Sequence, residues 1–289
     1  MEENEVLELF LNSRKAEATK RAYAFALNSL RDFTKKNFFD ITKPDIAKWV
    51  DSFNNLCDTT IQQRICGVSS FYRYAIDECD LLIKNPAGGR SIRKTINPYG
   101  KATYLSSIEA GKLLASIDKT TKLGSRDYVL FLGYLILGRR NSEWRKIKFD
   151  DIFQRGDGWQ YRWSGKGKVN NLHDMPLVVM NAIDNYLKLN NFTRNGYVFK
   201  GQEDNSPLSS EQVRRLLQKY IAFSGINKKV KVHSLRHTAA MLRKEVGESL
   251  EDIMRHLGHS SLSMTQIYLH SLEGNVDSKW EEVASILNV

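Results

Sequence analysis

Cysteine is scarce in this 289-residue chain: the three present, Cys57, Cys66 and Cys79, lie within one segment. They show none of the CxxC spacing that a zinc site or a thioredoxin-like motif uses, and they read as free, buried or half-buried thiols. Long apolar runs are lacking as well. None approaches the roughly 20 residues of a transmembrane helix, and the amino terminus, MEENEVLELF, is acidic where a signal peptide is basic. The expectation is a cytoplasmic protein with no membrane partner. No internal repeat or low-complexity tract occurs. The one glycine-and-lysine stretch, SGKGK at 164–168, lacks the four-residue gap and the following hydroxyl of a P-loop, and HSLRH at 233–237 lacks the glutamate of HExxH.

What the chain does carry is positive charge. The formal net charge is +10 with a pI near 9.4, a balance suited to an anionic polymer, with nucleic acid the first partner to consider. The length suits two domains, each able to bury a core without disulfide staples.

The first hundred residues read as helices. SRKAEATKRAYAFALNSLRDFTKK keeps apolar residues at helical intervals, and TKPDIAKWVDSF opens with Thr42 as a cap and Pro44 in the first turn. A further helix is predicted over Thr59–Asp80, stopping toward Asn85-Pro86 and two glycines. The boundaries expected are a helical domain over 1–94, a linker over 95–103 and a second domain over 104–289. The second domain opens with a capping box, Ser106 and Glu109. RDYVLFLGYLIL, apolar on nearly every face, belongs at the core and ends at Gly138. The period then changes: Trp159, Tyr161 and Trp163 alternate with polar residues ahead of SGKGKVNN and LHDMPL, which predicts a β-hairpin with a glycine-bearing turn. Helices resume with VVMNAIDNYLKL and with LSSEQVRRLLQKYIAF behind a serine cap. Gly247, Gly258 and Gly274 read as helix stops, with Ser249 and Ser260 or Ser261 as the next starts. The fold class is thus mainly α with a small β-sheet.

Six polar residues fall beside helix ends and turns of the second domain: Arg140, Lys166, His233, Arg236, His259 and Tyr268. Together they make a cationic set with one potential nucleophile. A phosphodiester suits such a set, since its two non-bridging oxygens match the guanidinium fork. His233 and Arg236, three apart, share a helical face. Taken singly, each has an ordinary reading: Arg140 or Lys166 as a solvated surface charge, Tyr268 as core. His233 with His237, or His256 with His259, has the spacing of a metal-ligand pair, but no third ligand is evident and no metal is expected.

In order along the chain, GRRNSE (138–143), SGKGK (164–168), HSLRH (233–237) and LGHSSLSMTQIY (257–268) resemble the signatures of the tyrosine recombinase, or phage integrase, family, in particular its compact Xer-like and transposon-type members. HxxRH, then LGH, then a tyrosine nine residues after the histidine are specific in combination. LFLNSRKAEATKRAYAFALNSLRDF also looks like the opening helices of the family's core-binding domain. The resemblance implies a helical, SAM-like core-binding domain followed by an α+β catalytic domain. Carried over by position, it makes Arg140 the first catalytic arginine, Glu143 its acidic brace and Lys166 the hairpin lysine. His233 and Arg236 become the HxxR pair, His259 the residue that is histidine or tryptophan in the family, and Tyr268 the nucleophile. Two positions depart from the pattern: Arg139 stands at a usually apolar site, and Trp144 replaces a usual leucine. Arg140 keeps the spacing to Ser142-Glu143 and to the hairpin, so it is preferred to Arg139.

The resemblance implies a site-specific recombinase that cleaves DNA through a 3′-phosphotyrosine, exchanges strands and religates, with cationic side chains in place of a metal and with no ATP or other cofactor. Chemistry supports the assignment, because a phenol with a pKa near 10 is only about 0.1% ionised at pH 7, a cost of roughly 4 kcal/mol that cationic neighbours lower. Implied partners are double-stranded DNA at inverted-repeat sites and three further copies in a homotetramer on synapsed DNA. The free protein is expected as a monomer or weak dimer, and a second recombinase is a possible heteromeric partner. DNA would be enclosed between the domains with the linker crossing it. Lys20, Arg21, Arg64, Arg73 and Lys168 are candidate DNA contacts, against the ordinary reading of solvated helix faces. The tail NVDSKWEEVASILNV carries Trp280, Val283, Ile286 and Leu287 at helical spacing, and packs either on its own domain or on a neighbouring protomer. With no domain ahead of the core-binding helices, a mobile element such as a transposon or plasmid is the expected setting. A type IB topoisomerase and a non-cleaving DNA-binding regulator of the same fold remain the alternatives.

Overall fold

The computed structural model describes residues 1–89, 92–94, 103–164, 170–201 and 206–258, apart from the side chains of residues 164, 170 and 171. Lys166, Lys168, His259 and Tyr268 lie outside the described residues, as do linker residues 95–102, Ser260, Ser261, Gly274 and the tail. The chain divides into two compact units, 1–97 and 98–289. No described helix is long and apolar enough to cross a membrane.

The first unit is helical in its described residues: α1 (Glu3–Asn12), α2 (Glu17–Thr34), α3 (Lys43–Asp51) and α4 (Asp58–Asp77). The expected start of α3 is observed. Asp45 Oδ2 accepts from the Thr42 backbone N–H at 2.9 Å, and Pro44 sits in the first turn, where a missing N–H costs nothing. α4 buries Ile61, Ile65, Val68, Phe71, Tyr72 and Ala75, the three-and-four spacing of one helical face. It stops at Asp77 rather than Asp80 because the chain turns away there, with Asp80 in the left-handed region at φ +53. Phe10, Phe38, Trp49 and Phe71 are fully buried at its centre.

The second unit holds α5 (Ser107–Ala115), α6 (Lys122–Leu137), α7 (Asn141–Trp144), strands β1 (Ile152–Arg155), β2 (Gly158–Ser164) and β3 (Asn170–Met175), then α8 (Leu177–Asn190), α9 (Ser210–Phe223), α10 (Val232–Glu245) and α11 (Leu250–Leu257). The caps read from sequence are in place: Glu109 N–H to Ser106 Oγ at 3.2 Å, Gln212 N–H to Ser209 Oγ at 3.1 Å, and Asp252 N–H to Ser249 Oγ at 3.1 Å. α6 runs through the core, with Val129, Leu130, Phe131, Leu132, Tyr134, Leu135 and Leu137 all buried. It ends at Gly138, whose φ of +62 suits a residue without Cβ.

The hairpin expected around Trp159–Trp163 is present as β2 and β3, but the sheet has a third, antiparallel member, β1, giving the order β1-β2-β3. β1 was not legible because its four residues, IFQR, place only Ile152 in the core and so show no alternation. Trp144 fits where a leucine is usual because residue 133, on α6, is glycine: a Cβ there would stand 2.2 Å from Trp144 Cε2. The indole is 1% exposed and its Nε1 donates to Leu130 O at 3.0 Å.

Candidate active site

α6 ends at Leu137, Gly138 reverses the backbone, and two adjacent arginines follow with opposite fates. Arg140 caps the start of α7, its side chain 32% exposed. Glu143, one turn on, accepts from the Arg140 backbone N–H through Oε2 and from Nη1 through Oε1, both at 2.8 Å. The carboxylate thus fixes the arginine at its root and at its head. Asn141 anchors the turn on both sides: its Oδ1 accepts from Tyr134 Oη at 2.6 Å, and its Nδ2 donates to Ser210 Oγ at 2.9 Å. Arg139 instead is 1% exposed, with Nε donating to Leu137 O at 2.8 Å and Nη2 to His256 O. Its Cζ lies 4.8 Å from the Trp163 ring.

α10 supplies the second group. Lys231 N–H donates to Ser234 Oγ at 3.2 Å, which sets the start of the helix. Thr238, nearly two turns into it, accepts from Leu105 N–H at 2.9 Å and ties α10 to the first residues of the unit. His233 is exposed in the first turn, whereas Arg236 is 2% exposed and points into the protein. Arg236 Nη1 donates to Gly138 O at 2.9 Å and Nη2 to Leu257 O at 2.8 Å. Partial desolvation, and next the positive charges of Arg236 and Arg140, hold the His233 pKa below the ordinary histidine value. The geometry agrees: Arg236, three residues after His233 on α10, bonds Gly138 O, two residues before Arg140, so α10 meets the turn that carries Arg140. A lowered pKa favours the neutral imidazole, the form able to accept a proton. The His237 ring stands edge-on to His233 with centroids 4.8 Å apart, and burial, then His233 and Arg236, push its pKa down to about 4. Among the described residues no group of histidines, cysteines and carboxylates has the arrangement of a metal site.

The structure thus brings together four of the residues singled out in the sequence: Arg140, Glu143, His233 and Arg236. Lys166 belongs to the connection 165–169 between paired β2 and β3, His259 follows Gly258 at the end of α11, and Tyr268 lies nine residues further; none of the three is among the described residues. In the first unit, Lys20 and Arg21 lie on α2 and Arg64 and Arg73 on α4; Lys20 Nζ donates to Asn12 Oδ1 at 2.8 Å. Arg64 differs from the others. Its Cζ is 4.8 Å from the Phe25 ring and 4.6 Å from the Phe53 ring, so the guanidinium is stacked between two aromatics. Sequence reading missed this stack and the buried role of Arg139. A pair of aromatics flanking an arginine across three separate segments leaves no local pattern to find.

Two family models match the chain: the phage integrase family over residues 103–274, and the phage integrase N-terminal SAM-like domain over residues 4–79. Among similar proteins are the tyrosine recombinase XerC of Thermodesulfovibrio yellowstonii, 30% identical over 73% of this chain and 71% of its own length, and that of Bacillus licheniformis, 27% identical over 91% of both. Solved structures with the same fold include the XerH site-specific recombinase bound to palindromic difH substrate, a post-cleavage complex (TM-score 0.75, 22% identity, 93% of this chain and 80% of that one). Another is a lambda integrase tetramer bound to a Holliday junction (TM-score 0.71, 17% identity, 94% and 78%). With a catalytic-unit match spanning more than half its length, a helical unit matching the partner model and a mainly helical fold carrying one small sheet, the chain belongs to the phage integrase family of tyrosine recombinases.

Proposed function

We propose that this protein is a site-specific DNA recombinase that breaks and rejoins strands through a tyrosine–phosphate bond. The observation that carries the reading is the bond from Arg236 Nη1 to Gly138 O, which brings α10, with His233 and Arg236, to the turn where Glu143 braces Arg140. Two guanidinium groups provide fixed donors for the non-bridging oxygens of a phosphodiester, where negative charge must be stabilised as phosphorus becomes five-coordinate. The Tyr268 oxygen attacks phosphorus and forms the 3′-phosphotyrosyl bond, while the bond to the 5′ oxygen breaks. His233 takes the phenolic proton, and Lys166 protonates the departing 5′ oxygen. His259 adds a further donor to the phosphate. One phosphodiester is exchanged for another at nearly equal energy, so attack by a 5′ hydroxyl from a second strand religates without ATP. The cations present suit this chemistry without a metal or other cofactor.

The partner is double-stranded DNA. Relatives of the same fold support this, since the XerH and lambda integrase structures are complexes with DNA, the latter a tetramer on a Holliday junction. By that likeness the working assembly is a homotetramer on two inverted-repeat sites, with a second recombinase as an alternative partner for half of it and the tail after Gly274 as the segment that docks between protomers. We assign residues 1–94 to core binding and 104–289 to catalysis. Phosphate contacts dominate affinity and make it fall with salt.

The test is a trapping experiment. Incubation with DNA carrying the sequence that flanks its gene yields a covalent protein–DNA adduct in denaturing gels, and Tyr268→Phe abolishes the adduct while DNA binding persists. An adduct that survives Tyr268→Phe refutes the nucleophile; relaxation of any supercoiled plasmid regardless of sequence assigns the protein to topoisomerase-like chemistry instead.

A further inference from the structure

We infer that Arg139 is a positioning residue: it holds the carboxyl-terminal end of α11 against that of α6 and so orients the Arg236 guanidinium toward the locality of Arg140. The inference rests on the catalytic reading of Arg140 and Arg236 above.

α11 is short, eight residues, and its apolar attachment to α10 is a small cluster of Ala240, Ile253 and Leu257. Such a contact fixes which face of the helix is buried far better than it fixes where the helix ends. The last carbonyls of any helix lack intrahelical donors and carry partial negative charge. Four such carbonyls meet here, Leu137 O and Gly138 O from the end of α6 and His256 O and Leu257 O from the end of α11. Arg236 spans one pair, with Nη1 on Gly138 O at 2.9 Å and Nη2 on Leu257 O at 2.8 Å. Arg139 spans the other, with Nε on Leu137 O at 2.8 Å and Nη2 on His256 O. The His256 ring adds a third tie, Nε2 donating to Leu137 O at 3.0 Å. Two guanidinium forks therefore bridge the same two helix ends, at carbonyls one residue apart.

This arrangement accounts for a buried arginine with no carboxylate bonded to it among the described residues. Helix ends supply compensating negative potential at Nε and Nη2 and the Trp163 face lies 4.8 Å from Cζ, while Nη1 is buried with no hydrogen-bond partner among the described residues. Trp163 in turn lies close against Gly258, where an added Cβ would stand 2.6 Å from the ring. Leu257 closes on Gly138 in the same manner, with 2.5 Å between its Cδ2 and a Cβ placed there. The end of α11 is thus held by two close approaches, at Gly138 and Gly258, both at positive φ where a side chain is strained, and by one fork that only arginine can provide, since lysine offers a point charge and no planar pair of donors. Arg236, docked on Gly138 O and Leu257 O, inherits its orientation from this junction.

The test compares Arg139→Met, which keeps length and removes every donor, with Arg139→Lys, which keeps charge and loses the fork. Hydrogen exchange over residues 250–258 is expected to speed up about tenfold or more in both, while α10 and the first unit keep wild-type protection. Adduct formation on the flanking DNA should slow about ten- to hundred-fold with DNA affinity within about twofold of wild type. Combined with Arg236→Lys, Arg139→Met should add little further loss, because it acts through Arg236; a merely destabilising change would multiply the two losses. Unchanged exchange over 250–258, or multiplying losses, overturns the inference. If the wild-type chain forms no adduct, the recombinase reading fails, and exchange over 250–258 still decides whether Arg139 holds α11. Should the methionine variant not fold, the lysine variant is read by the same criteria.

Discussion

Glu143 holds Arg140 by both ends, one carboxylate oxygen on its backbone N–H and the other on Nη1, each at 2.8 Å. A charged acceptor bonded to a guanidinium is worth about 1.5–3 kcal/mol. E143Q keeps an acceptor but loses the charge. It should slow adduct formation about tenfold, and Glu143→Ala about a hundredfold, with DNA affinity nearly unchanged because Arg140 is one phosphate ligand among many. Equal rates for wild type and both variants in single-turnover cleavage would remove Glu143 from the site.

Gly133 exists to make room for Trp144. Alanine is ordinarily the better helix former by about 1 kcal/mol, yet here its Cβ would meet a fully buried indole at 2.2 Å. Overpacking costs about 1–3 kcal/mol, so Gly133→Ala should lower the thermal midpoint. Adding Trp144→Leu should recover much of the loss. A rise in midpoint for the single substitution contradicts the packing described.

Acid should unfold this protein earlier than its carboxylates alone would dictate. Burial first, and for each then neighbouring positive groups, hold His173 and His237 at about 4 and His256 at about 3. Each folded value lies below the unfolded value near 6.5, so between those limits the unfolded chain binds more protons and stability falls as pH falls. Full stability is expected above pH 6.5, with a steep decline toward pH 4. Denaturant midpoints measured from pH 7.5 to 4.5 should show it, and His256→Gln should flatten the slope by about one proton. A flat profile to pH 5 is inconsistent with these burials.

Three of the four candidate DNA contacts in the first unit, Arg21, Arg64 and Arg73, should separate by assay. Arg64, stacked between Phe25 and Phe53, should cost about 1–2 kcal/mol of stability on conversion to alanine. Arg21→Ala and Arg73→Ala, both at exposed positions, should leave the melting temperature alone. Where the arginine neutralises a phosphate, its removal should reduce the salt dependence of binding by about one unit of slope. Unaltered salt slopes would return both residues to the role of solvated helix faces.

Much of the architecture is legible in the sequence because it rests on local rules. Capping at Thr42, Ser106, Ser209 and Ser249, the stop at Gly138 and the aromatic alternation of β2 all depend on residues within a few positions of one another. β1 escaped notice for the complementary reason. Four residues with one buried side chain carry no period of their own, and pairing with β2 alone makes them a strand.

The amino-acid order by itself determined the class of chemistry: a basic chain without metal-binding cysteine spacing or a phosphate loop, carrying two arginines, a lysine, two histidines and a late tyrosine at spacings that resemble one enzyme family. Spacing preferred Arg140 to Arg139, but could not say what the other arginine does. That was decided by tertiary structure, because burial and hydrogen-bond partners are properties of distant segments brought together. Glu143 turns Arg140 outward to a position 32% exposed, while the carbonyl ends of α6 and α11 draw Arg139 inward to 1%. A guanidinium goes where its donors find oxygen: for Arg140 that oxygen is three residues on, whereas for Arg139 the two carbonyls come from helix ends more than a hundred positions apart.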